Sequence, residues 1–112
     1  MEFNELKNEI KTIPLDSLRL DCDNNFEAVI VKEELEKLTN RLEKFFGLPV
    51  FPSKERLSFQ VRQIIDGFGG VLAGQTLYFW NQGRDTIFTM LWPWKDGRRT
   101  TVKILKNPLD RF

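Results

Sequence analysis

Phe3, Leu6 and Ile10 recur at i, i+3 and i+7, the spacing that aligns side chains along one face of a helix, and Pro14 closes the stretch. A short first helix is expected there. Residues 15–25 carry Asp16, Ser17, Asp21, Asp23, Asn24 and Asn25, whose short polar side chains compete for backbone hydrogen bonds, so this stretch reads as a loop. From Phe26 the apolar positions Val31, Leu35, Leu38, Leu42 and Phe45 fall 4, 3, 4 and 3 apart, predicting a long helix to Phe46. Asn24 and Glu27 approximate a capping box, and Gly47 with Pro49 supplies the stop. Val29, Ile30 and Val31 are β-branched, so a short strand over 26–31 competes with the first turns of that helix. A stiff connector containing Pro49 and Pro52 leads to a third helix, capped by Ser53 and striped by Leu57, Val61, Ile64 and Phe68.

Beyond Gly67, Gly69 and Gly70 the period changes from helical to alternating, and strands are expected over 76–80, 86–92 and 99–105. The loop at 81–85 and the Asp96-Gly97 turn have hairpin chemistry, so the three strands read as an antiparallel meander. Alternation groups Leu77, Phe79, Ile87, Leu91, Val102 and Ile104 on one side, with Tyr78, Trp80, Phe88, Met90 and Trp92 on the other. Neither group is polar. A sheet wetted on one face would show a polar set, so something is expected to cover both sides: helices, a second subunit or a ligand.

The expected architecture is therefore α+β, with about three N-terminal helices packed on a C-terminal three-stranded antiparallel β-meander. A length of 112 residues, 41% of them hydrophobic, fits one domain over 1–112. The chain has no His and a single Cys, which removes His-based acid/base chemistry, Cys-His dyads, internal disulfides and most metal sites. No cofactor or metal site is expected, and catalysis is disfavoured. The net charge of +1 gives no global pull toward nucleic acid or an anionic membrane. Residues 1–48 hold 7 basic and 11 acidic side chains and residues 49–112 hold 10 and 5, a contrast that either sets an acidic helical side against a basic sheet side or is ordinary surface variation. The second reading is preferred.

The start of the chain, Met1-Glu2-Phe3-Asn4-Glu5, lacks the basic and apolar regions of a secretory signal, and no apolar run approaches membrane-spanning length. With the lone Cys22, this points to a cytoplasmic protein with no membrane partner.

Two local motifs resemble ligand loops and fail on inspection. Gly67-Phe68-Gly69-Gly70 follows an expected helix, whereas a phosphate loop precedes one, and no Gly-Lys-Ser/Thr is present. Asp21-x-Asp23-x-Asn25 opens like a calcium loop, but Phe26 stands where Gly is required and Lys32 where a closing Glu belongs. The remaining candidate is the aromatic sheet surface. Tyr78, Trp80, Phe88, Trp92 and Trp94 are its expected anchors, with Arg84, Arg98 and Arg99 as rim charges, for a protein partner or a second copy in a homodimer. The expected function is a non-catalytic interaction or regulatory module. Two alternatives stay open: nucleic-acid binding through the basic hairpin tip at 95–99, and a small-molecule pocket between helices and sheet.

Overall fold

The computed structural model describes residues 3–51, 74–82 and 85–108. These form helix α1 (Phe3–Lys11), strands β1 (Ser17–Asp21) and β2 (Asn25–Val31), a 3-10 turn (Lys32–Glu34), helix α2 (Leu35–Phe46), and strands β3 (Thr76–Gln82), β4 (Asp85–Pro93) and β5 (Arg99–Pro108). The strands make one antiparallel sheet in the order β1-β2-β5-β4-β3. No described helix is long and apolar enough to cross a membrane.

The α+β class holds, but the described residues contain two helices on a five-stranded sheet, not three helices on a three-stranded meander. The expected third helix, with Leu57, Val61, Ile64 and Phe68, lies outside the described residues, as do the glycines meant to end it. The added strands come from residues read as a loop and as the start of a helix. β2 is a strand because its side chains are buried on both faces. Phe26, Ala28 and Ile30 join the core under the helices while the alternate Val29 is buried on the opposite side, an environment that suits β-branched residues. Glu27, expected as half of a capping box, lies mid-strand.

β1 pairs with β2 through a bulge. Leu18 stands opposite Ala28, whereas Leu20 stands opposite Glu27, so the two leucines belong to different faces and the period of two is broken at Arg19. Cys22, Asp23 and Asn24 make the turn, closed by the Cys22 N–H donating to the Asn25 carbonyl at 2.8 Å. At the far edge, Leu77 of β3 exchanges backbone hydrogen bonds with Val50 and Phe51, which covers that edge.

α1 and α2 lie on one face of the sheet. Phe3, Leu6 and Ile10 of α1 and Leu38 and Leu42 of α2 meet Phe26, Ile30, Tyr78, Ile87, Leu91, Val102 and Ile104 in the main core. Gly47 ends α2 at φ 80°, a conformation that other residues adopt only with strain, and its N–H donates to the Glu43 carbonyl at 2.8 Å. α1 is also fastened to the end of β1: Lys7 and Lys11 both pair with Asp21, and Lys7 donates to the Cys22 carbonyl. The Lys11 hydrogen bond, followed by that of Lys7, holds the Asp21 carboxyl below the usual carboxylate range. The two helices and the 3-10 turn carry six acidic and six basic side chains, so these elements are not an acidic side.

The opposite face carries a second cluster: Leu77, Phe88, Met90 and Leu105, with Val50, Phe51, Phe79 and Trp92 packed against it. Both faces of the meander are therefore apolar, but their membership differs from the expected grouping. Leu77 pairs with Met90 and Phe79 with Phe88, which turns β3 over relative to β4. Tyr78 and Trp80 consequently share the helix side with Ile87 and Leu91.

Thr89 sits within the helix-side face between Tyr78 and Ile104, fully buried, with no hydrogen-bond partner for its Oγ1 among the described residues. An unsatisfied buried hydroxyl costs about 1 to 3 kcal/mol, whereas a methyl of similar shape carries no such cost. Thr89→Val is expected to stabilise the fold by about 1 kcal/mol. A urea titration checks this by a raised midpoint at unchanged slope; a lowered midpoint would mean that the hydroxyl is satisfied by bound water.

Candidate interaction face

The register divides the expected aromatic surface in two. Tyr78 is only 2% exposed and lies beneath α2, its ring 5.7 Å from that of Phe46. Burial first, and Glu43 second, push its phenol up from the ordinary value. Trp80 is half-buried on the same side, 5.9 Å from Phe45. Phe88 is fully buried on the opposite side, stacked with Phe79 at 6.5 Å. Arg84 lies outside the described residues. Trp92, Trp94 and Arg99 are brought together, and Arg98 is exposed at the adjoining hairpin tip.

Their setting follows from rows of residues that share the face away from the helices. One row runs Leu20, Glu27, Lys103, Met90 and Leu77 across the sheet, and the next runs Ser17, Val29, Thr101 and Trp92. The β3–β4 end of this face is the apolar cluster under Val50 and Phe51, while the β1–β2–β5 end carries charge. Trp92 and Trp94 stand on the border. Trp94, just past the end of β4, donates its indole N–H to Thr101 Oγ1 at 2.8 Å. The Arg19 and Arg99 guanidiniums lie 5.5 and 5.7 Å from its ring, and the Lys103 ammonium lies 5.6 Å from that of Trp92.

Asp96 organises the tip. Its carboxylate accepts from the Arg98 and Arg99 backbone N–H groups at 2.8 and 3.1 Å, and Gly97 at φ 67° lets the chain reverse. Those bonds, led by the one from Arg98, hold the Asp96 carboxyl below its ordinary range. The Arg99 guanidinium is clasped by Asp96 at 3.0 Å and Asp16 at 3.2 Å, which raise its pKa further and tie the tip to the start of β1. Arg99 is thus largely neutralised by its neighbours. Among the described residues, Arg19 and Lys103 share one acid, Glu27, at 3.6 and 3.9 Å.

Counting the tip, the described residues of this surface present Arg19, Lys95, Arg98, Arg99 and Lys103 against Asp16, Glu27 and Asp96, an excess of two positive charges among them. Neutralising about two phosphates gives only about a tenfold loss of affinity between 50 and 200 mM salt, against about 10³ to 10⁵ for proteins that make six to ten phosphate contacts. Lys103 was legible in the sequence as an extension of the basic strip beside the tip, whereas Arg19 and Glu27 were not, because their meeting with it depends on β1 and on the pairing of β2 with β5. A groove of about 480 Å³ lies between α1 and α2, lined by Glu5, Leu6, Asn8, Glu9, Arg41, Lys44 and Phe45. Its opposed charges face one another, with Arg41 Nε 3.7 Å from Glu9.

The chain matches no protein-family model, no curated protein and no solved structure.

Proposed function

We propose that this protein is a non-catalytic interaction module that docks a protein partner at the β1–β2–β5 end of the sheet face opposite α1 and α2, with Trp92 and Trp94 as anchors. The observation that carries this reading is that both indoles are half-buried and already held, Trp94 by Thr101, Arg19 and Arg99 and Trp92 by Lys103. Rings fixed before contact lose little rotamer entropy on binding, and Trp and Arg are the residue types that dominate binding energy at protein interfaces. Tyr78 and Phe88 support the surface from within the two cores; they are too buried to touch a partner. Arg98 and Lys95 serve as exposed rim charges. The exposed, free Cys22 suits a reducing compartment, and we place the protein in the cytoplasm on that ground.

Selection of a random peptide library on the immobilised chain tests the proposal. Enriched peptides are expected to lose about thirtyfold in affinity on Trp94→Ala, the effect of removing a hot spot worth about 2 kcal/mol. The variant's urea midpoint serves as the control for folding. Peptides that bind the variant as well as the parent, or no enrichment at all, would remove this face as the docking site.

A further inference from the structure

We infer that the partner is an acidic peptide segment, one of whose carboxylates enters between Arg19 and Lys103; this rests on the docking reading above. Glu27 is the one carboxylate that these two cations share among the described residues, and at 3.6 and 3.9 Å it stands beyond hydrogen-bond reach of both. Each cation is also held beside an anchor ring, Arg19 by Trp94 and Lys103 by Trp92. A second acid arriving there makes the charge-assisted bonds that Glu27 leaves unmade, while its apolar neighbours reach the indole surface. A second copy of the chain fits less well, since an isologous contact sets the same excess of positive charge against itself. Nucleic acid also fits less well. A continuous run of phosphates exceeds the small charge excess, whereas a short acidic segment matches it.

The experiment titrates the full chain with a short peptide of repeated Glu-Leu-Asp, its Lys-Leu-Lys counterpart and oligothymidylate of equal length, read by tryptophan fluorescence. The acidic peptide is expected to bind and the basic one not to. Arg19→Ala and Lys103→Ala are each expected to weaken the acidic peptide several-fold. Glu27→Gln is expected to strengthen it several-fold, because the resident competitor for both cations is gone; a merely structural role for Glu27 gives no such gain. Affinity that ignores all three substitutions overturns the inference, as does tighter binding of oligothymidylate than of the acidic peptide. If library selection instead yields Trp94-dependent peptides without acidic residues, the docking face stands and the acidic partner falls.

Discussion

Phe26→Ala is expected to cost about 3 to 5 kcal/mol of folding stability, the range for removing a fully buried aromatic ring. The ring is 0% exposed on β2, where the strand has neighbours on both sides: Phe26 stands opposite Asp21 of β1 and Ile104 of β5. It points into the core shared with α1 and α2, so truncation leaves a cavity bounded by sheet and helices, which cannot close without moving one of them. A domain of this size is typically stable by about 5 to 15 kcal/mol, so the variant would keep only a fraction of its margin. Urea unfolding followed by tryptophan fluorescence checks this, with a much lower midpoint at unchanged slope as the expected result. A loss below about 1 kcal/mol would place Phe26 at a partly exposed site, as in the first turn of a helix, and would contradict β2.

That residue also marks where the sequence stopped being legible. The stripe of α1, the body of α2 from Leu35, the three C-terminal strands and the Asp96-Gly97 turn follow from local spacing, and each is present in the fold. Residues 26–31 satisfied two patterns at once: Val31 fits the helical stripe that runs on into α2, while the β-branching of Val29, Ile30 and Val31 favoured a strand. The choice was made by tertiary context, because β5 on one side and β1 on the other supply backbone partners that a helix has no use for.

β1 was hidden for a different reason. All five of its residues are exposed, so burial imposes no hydrophobic alternation, and the bulge at Arg19 breaks what alternation the leucines suggest. The orientation of β3 depends on its register with β4, a property of the hairpin and not of either strand alone. The candidate site inherits both difficulties. Trp92 and Trp94 stand out by composition, but Arg19 and Glu27 belong with them only once a strand far away in sequence is laid beside β2.

The contrast between Leu42 and Leu18 isolates the burial that holds the helices to the sheet. Leu42→Ala is expected to cost about 2 to 5 kcal/mol, and Leu18→Ala to stay within about 0.5 kcal/mol of the parent. Both residues are leucines next to an arginine in the sequence, but Leu42 is 0% exposed in the core beneath α2 and Leu18 is 52% exposed on edge strand β1. The free energy lost scales with apolar surface that water regains and with the cavity left behind, and Leu42 has far more of both to lose than the half-exposed Leu18. Because α2 also covers Tyr78 through Phe46 and approaches Trp80 through Phe45, loosening it should disturb β3, an edge strand of the sheet. Hydrogen exchange of Leu42→Ala is therefore expected to quicken at the amides of α2 and β3 before those of β2 and β5, which retain a strand on each side. Equal loss from both substitutions would mean that Leu18 is covered too, and would turn β1 from an open edge into a buried one.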